Sequence, residues 1–158
     1  MRILGIDPGL KATGYGFIEF NKGMIRLIET GTIEPKQKDL FQDRLNKIYI
    51  ILDELIQEHK PEVMVLEKLY SHHNHPITSS ILGHVRGVIC ILCAKRSVEL
   101  AELSPKRIRK SVAGNGNASK IQVKRLVAEI LNVDEQRLTL DASDALALAL
   151  GYANINRC

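Results

Sequence analysis

The chain contains no tryptophan, only three cysteines, and few aromatic residues of any kind, 4% of the total. Three cysteines is an odd number, and no secretory leader precedes them, so a disulfide framework is not expected. The opening MRILGIDPG reads straight into a strand and a turn, which predicts a reduced, cytoplasmic protein. No apolar run approaches the ~18 residues that a bilayer-spanning helix needs. The longest, near Val88 to Ala94, is stopped by Lys95 and Arg96, so no membrane association is expected. Internal repeats, linkers and low-complexity stretches are also missing. What is there is ordinary in size and mix: 158 residues, 45% hydrophobic and 25% charged. That is the composition of one well-cored domain spanning residues 1–158, and it excludes large multi-domain enzymes.

Acidic side chains are absent from one long stretch. Residues 1–102 carry 13 basic and 13 acidic side chains and balance. Residues 103–128 carry seven basic ones (Lys106, Arg107, Arg109, Lys110, Lys120, Lys124, Arg125) and no acidic one. Residues 129–158 carry two basic and five acidic ones, which leaves a total of +4. A tract this clean suits a phosphate-rich partner, although a solvated helix face would have the same composition.

Periodicity predicts the elements. Arg2 to Ile6, Thr13 to Phe20 and Met24 to Ile33 read as an antiparallel meander, punctuated by Asp7-Pro8-Gly9 and Asn21-Lys22-Gly23. Asp39 to His59 reads as a helix capped by Asp39, with Leu45, Ile48, Leu52, Leu55 and Ile56 on its apolar face. Glu62 to Glu67 is a buried-type strand. The intervening helix implies that it lies parallel to, and beside, an earlier strand. A polar loop at 71–76 precedes a long helix from Ile77 to Lys95, with glycine interruptions at Gly83 and Gly87. Ser97 to Leu103 is a fifth strand. Ser104-Pro105 and Ser119 open two further helices, and a loop leads to a last helix over Asp141 to Ile155. The expected fold class is α/β, a mixed five-stranded sheet flanked by helices.

Four acids stand out by position in that layout. Asp7 ends the first strand, and Glu67 ends the strand expected beside it. Asp141 and Asp144 share one face at the start of an Ala- and Leu-rich helix, where the helix dipole favours carboxylates. Three have an ordinary alternative: a helix cap for Asp141, a turn residue for Asp7, a strand-end acid for Glu67; Asp144, in the first turn of a strongly apolar helix, has a weaker one. Together at one sheet edge they would repel strongly without cations. Hard oxygen ligands suit Mg²⁺ or Mn²⁺, and a pair of such ions ~4 Å apart is suited to phosphodiester hydrolysis with no protein nucleophile.

The sequence resembles the RuvC family of Holliday-junction resolvases. The resemblance rests on GIDPGLKATGYG (5–16), VLEKLY (65–70), LGHVRG (82–87), AGNGNASKIQVKRLV (113–127) and DASDALALAL (141–150). It covers essentially the whole chain and implies a ribonuclease-H-like fold. It implies that Asp7, Glu67, Asp141 and Asp144 are catalytic and hold two Mg²⁺ ions per site, with Mn²⁺ as a substitute. It also implies a homodimer that nicks two strands of like polarity in a four-way DNA junction, leaving ligatable 5′-phosphates, and a branch-migration motor as a further partner. Tyr70 matches a family aromatic that stacks on a base, an interaction worth ~1–3 kcal/mol; a half-buried core aromatic is the alternative. Lys120 matches a lysine near the scissile phosphate, and either Arg109 or Lys110 matches a second cation. Asn74, Arg86 and Lys124 complete the expected nucleic-acid contacts.

The chain departs from the family pattern at His84, where glutamine is usual, and in a loop before Gly83 that is one residue longer and contains Pro76. His72, His73 and His75 in that loop suit backbone or loop contacts to DNA better than zinc, because adjacent side chains diverge and no cysteine joins them. Cys90 and Cys93 lie inside an apolar helix and read as small buried residues.

Three rival functions fit parts of the pattern. An actin-like or sugar-kinase ATPase shares Asp7-x-Gly9 and Thr13-Gly14 but needs two such domains to enclose its nucleotide. A nuclease of the same fold acting on structured RNA would use the same basic tract. A non-catalytic junction-binding protein would not need four acids.

Overall fold

Alternation along the strands decides how the layers form. Ile3 faces one side of the sheet while Leu4 and Ile6 face the other, and Val63 and Val65 alternate with Met64 and Leu66 in the same way. Both faces are apolar, so both must be covered by helices. The computed structural model describes residues 1–68 and 76–156.

Among these, β1 (Arg2–Asp7), β2 (Thr13–Asn21), β3 (Met24–Ile33), β4 (Val63–Glu67) and β5 (Glu99–Leu103) form one sheet in the order β3-β2-β1-β4-β5. The meander is antiparallel, and β4 joins β1 in parallel, with Ile6 opposite Leu66. Helices α1 (Phe41–His59) and α2 (Pro76–Arg96) cover one face, and α3 (Pro105–Ala113), α4 (Lys120–Leu131) and α5 (Leu140–Ile155) cover the other. The mixed, helix-flanked sheet expected from the sequence is therefore present.

Helix α5 is apolar on every side from Ala145 to Gly151, and that stretch is buried throughout. It can lie against the sheet because the strands beneath it carry glycines. A Cβ at Gly5 would stand 1.9 Å from the backbone oxygen of Ala145, so only glycine permits this approach.

Several local expectations are corrected. Asp39 does not cap α1: the N-cap is Leu40, without a side-chain bond, because Asp39 is held in a preceding turn by its N–H to the Lys36 carbonyl. Gly83 and Gly87 do not interrupt α2, which runs through both with open space at each Cβ position. The loop before α5 contains a 3₁₀ turn at Glu135–Arg137, started by the Asp134 side chain. By length and composition alone, Ile77–Arg96 is also apolar enough to cross a membrane (mean hydropathy 1.7), because small and uncharged polar residues between its apolar ones shorten each run without lowering the average far. Its inner face, with Val85, Ile89 and Leu92, packs into the core over the α1 side of the sheet. Cys93 is buried there with its thiol 3.6 Å from the Met64 sulfur, and burial pushes that thiol up to about 11. Cys90, expected to be buried, is exposed.

Candidate active site

Strand parity brings the first two acids together. Asp7 follows Ile3 and Gly5 on the α5 face of β1, and Glu67 follows Val63 and Val65 on the same face of β4. Each lies one residue beyond the Ile6–Leu66 pair, at the end where the sheet stops. The chain leaves β1 through Pro8 and Gly9. Thr13, fully buried, closes that turn by donating its hydroxyl to the Gly9 carbonyl at 2.6 Å.

Helix α5 supplies the other two acids. Its N-cap is Thr139, whose hydroxyl accepts from the Ala142 N–H at 3.1 Å and shares a 2.7 Å hydrogen bond with Thr32 on β3. The capping alternative for Asp141 is thereby excluded, and its carboxylate is left for other work. Gly14, opposite Asp7 in the β1–β2 register, lets the first turn of α5 settle on the sheet.

Asp7, Glu67 and Asp144 line one cavity of about 130 Å³, together with Arg109 and Lys120. Asp141 borders a second cavity of about 550 Å³, with Lys11 of the β1–β2 turn and Arg44. It is still close enough to act electrostatically on Asp7.

Electrostatics mark this end of the sheet as unusual. The Asp7 carboxyl is pushed up to about 7, first by burial, then by Asp144, Asp141 and Glu67, against the opposing pull of Lys120. Glu67 reaches solvent but is also raised, by partial desolvation and by Asp144, while Lys120, Arg109 and Arg86 oppose the rise. Lys120 places its ammonium 2.5 Å from an Asp144 oxygen, and that bond raises the lysine further. Among the described residues, no three acids form a ready-made metal-binding cluster. Lys120 claims Asp144, and Asp141 sits apart. The donor set is nevertheless all hard oxygen, and burial together with neighbouring acids disfavours ionisation of Asp7 and Glu67, which is the chemistry a divalent cation relieves.

The basic residues separate by geometry. Ser104 caps α3 and Ser119 caps α4 through a capping box with Gln122, as their sequence positions predict. Lys120 is thus the first residue of α4 and Arg109 faces the acids from α3. Lys110, the alternative to Arg109, points to the far side of α3, beside Arg107 and Asn154. Lys124 follows Lys120 by one helical turn and is half-buried outside the cavity lining.

Arg86 is held within the chain. Its side chain is only 11% exposed and is engaged at both ends, donating to the Glu67 carbonyl at 2.8 Å and pairing with Glu102. Tyr70 and Asn74, with His72, His73 and His75, lie outside the described residues. The sequence reading missed Gly14 and Thr139. Thr139, directly before an Ala- and Leu-rich run, was the available signal for the cap.

The chain matches the family described as crossover junction endodeoxyribonuclease RuvC over residues 3–152. A relative of that description from Rhodopirellula baltica is 38% identical over 94% of this chain and 83% of its own length. Among solved structures, Thermus thermophilus RuvC superposes with a TM-score of 0.89 at 25% identity, covering 99% of this chain and 96% of that one. The same protein in complex with a Holliday junction substrate gives a TM-score of 0.89 at 22% identity with the same coverage, a likeness of fold.

Proposed function

Because the chain belongs to the RuvC family of crossover junction endodeoxyribonucleases, we propose that it resolves four-way (Holliday) DNA junctions in recombination and repair by hydrolysing one phosphodiester in each of two strands of like polarity. The observation that carries this reading is the convergence of Asp7, Glu67 and Asp144 with Arg109 and Lys120 in one cavity, and Asp141 just beside it. Acids and cations are interleaved there as a phosphodiester requires.

Asp7, Glu67, Asp141 and Asp144 would hold two Mg²⁺ ions, or Mn²⁺ in their place. When bound, such ions polarise the phosphoryl group and supply a nucleophilic hydroxide at neutral pH. The chain's own residues do the rest. Arg109 and Lys120 offset negative charge growing on the phosphoryl oxygens. The cavity's apolar wall, Ile108 and Val123, limits water around the reacting group. No side chain need become covalently attached, and departure of the 3′ oxygen leaves a ligatable 5′-phosphate. Tyr70, Asn74, Lys110 and Lys124 belong to the proposed DNA contacts on the strength of the family resemblance alone.

Two nicks require two sites, so the proposal includes a homodimer. Ile77 and Ile91 of α2, with Leu40 and Phe41 at the start of α1, expose large apolar side chains, which supports these helices as the joining surface. Sedimentation that shows a strict monomer with and without junction DNA would remove this part. A cytoplasmic location and delivery by a branch-migration motor complete the family-based reading.

The test compares wild type and Asp7→Asn on four-way junction, duplex and structured-RNA substrates, with Mg²⁺ present and absent. The wild type is expected to cut the junction preferentially and only with the metal. Asp7→Asn should bind the junction and leave it intact. Normal cleavage by that variant would overturn the metal-site assignment, and preferential cleavage of RNA would overturn the substrate.

A further inference from the structure

Arg86 sits on α2, yet its guanidinium reaches the last residue of β4. One nitrogen donates to the backbone carbonyl of Glu67 at 2.8 Å, and another pairs with the carboxylate of Glu102 on β5. The side chain is 11% exposed and Glu102 is 41% exposed, so the pair is sheltered on the arginine side and open on the other. The next residue, Lys68, donates its N–H to the Leu103 carbonyl at 2.8 Å, continuing the β4–β5 ladder beyond β4. The end of β4 is therefore held from two directions, by β5 through the ladder and by α2 through Arg86.

We propose that Arg86 is a positioning residue: by bracing the Glu67 carbonyl against Glu102, it aims the Glu67 carboxylate into the cavity shared with Asp7 and Asp144. The Glu67 carbonyl and the Lys68 N–H belong to one planar peptide unit. The ladder holds that unit by its N–H and Arg86 holds it by its carbonyl, so the plane from which the Glu67 side chain departs is pinned at both polar ends. An arginine does this better than a lysine because its planar fork binds two acceptors in fixed directions. The same residue ties Glu67 to α2, whose exposed Ile77 and Ile91 form the proposed dimer surface.

This inference rests on the metal-dependent reading of the site, and its test keeps the two apart. Arg86→Gln, Arg86→Lys and Glu102→Gln are compared with wild type in three measurements: junction affinity without divalent ions at two salt concentrations, the Mg²⁺ dependence of single-turnover junction cleavage, and the Mn²⁺-induced rise in Tm with no DNA present. Arg86→Gln is expected to bind the junction as wild type does, to need about 10- to 100-fold more Mg²⁺ for half-maximal cleavage, and to lose most of the Mn²⁺-induced rise in Tm. Arg86→Lys should recover part of both. Glu102→Gln, which keeps the bond to the Glu67 carbonyl but weakens its anchor, should shift in the same direction by less, and it stands in if Arg86→Gln fails to fold.

Weakened, less salt-dependent DNA binding with an unchanged metal response would make Arg86 a phosphate contact and overturn the proposal. So would metal responses in all three variants equal to those of wild type. If wild type itself cuts no junction, the functional reading fails. The Mn²⁺-induced change in Tm then still decides whether Arg86 positions a metal-binding Glu67.

Discussion

Gly14 of β2 lies directly beneath the backbone of Asp141: a Cβ at residue 14 would stand 2.0 Å from the Asp141 carbonyl oxygen. The candidate site depends on this closeness, because it sets how near the first turn of α5 comes to Asp7, the residue paired with Gly14 across the strands. Backbone on both sides leaves nothing flexible to move. Gly14→Ala should therefore lift the start of α5 and cost about 1–3 kcal/mol or more of stability. Junction cleavage should fall more than stability does. Thermal unfolding and single-turnover cleavage at a temperature where the variant is fully folded check this. Gly83→Ala, where an added Cβ meets nothing within 4 Å, is the control and should be neutral or stabilising by up to ~1 kcal/mol.

Lys120 balances the acids as well as facing the phosphate. It pairs with Asp144, and its charge pulls the Asp7 and Glu67 carboxyls downward. Lys120→Met should slow cleavage on the order of 10²-fold by removing a cation from the developing charge. It should also push Asp7 further above about 7 in the metal-free chain, so that at subsaturating Mg²⁺, where protons compete with the metal for this carboxylate, the acid limb of the kcat/KM profile moves to higher pH. Lys120→Arg should restore the profile better than the rate. An unmoved acid limb in the methionine variant would show that Lys120 does not govern Asp7.

The raised Asp7 carboxyl makes a statement about stability. Its ordinary value is 3.8, and in the fold it is about 7. Between those values the folded chain holds a proton that the unfolded chain has lost. The unfolded state binds fewer protons, so stability falls as pH rises through this window and stays lower above it. Without divalent ions, Asp7→Asn should melt at a higher temperature than wild type at and above neutrality. The advantage should disappear below about pH 4, where both residues are uncharged in both states. Calorimetric scans across pH test it; a constant difference in Tm would refute the assignment of burial and like charge to Asp7.

Thr139 holds the other end of the acid pair. Its hydroxyl caps α5 and meets Thr32 across from β3. Thr139→Ala should cost about 1 kcal/mol, as lost caps do, whereas Thr139→Ser should be close to neutral. Because Asp141 lies two residues further on, the alanine variant should also raise the Mg²⁺ concentration needed for cleavage. A stability loss with an unchanged metal requirement would make Thr139 a cap only.

Much of this site is legible in the residues alone, and the reasons are local. Period-two alternation in RILGID and VMVLE places Asp7 and Glu67 on the same sheet face, because a strand offers only two faces. The strand–helix–strand order predicts the parallel β1–β4 pair that sets the two acids side by side. Ser104 before Pro105, and Ser119 three residues before Gln122, mark the starts of α3 and α4 and so the placement of Arg109 and Lys120. Such signals depend on residues within one turn or one strand.

The rest involves pairs of residues far apart in the chain. Nothing in LGHVRG announces that Arg86 meets the Glu67 carbonyl and Glu102, a contact that exists because α2 crosses where β4 and β5 end. Arg109 and Lys110 are adjacent in sequence, but only one side of α3 meets the cavity. Asp141 and Asp144 share a helix face by spacing, yet Asp144 lines the cavity with Asp7 and Glu67 while Asp141 borders a different one beside the β1–β2 turn. Which strand ends and helix starts carry the charges follows from local geometry, and so from the order of residues alone. Which charge meets which was decided by how closely α5 and α2 pack on the sheet, a matter of steric fit between segments that no single stretch of sequence contains.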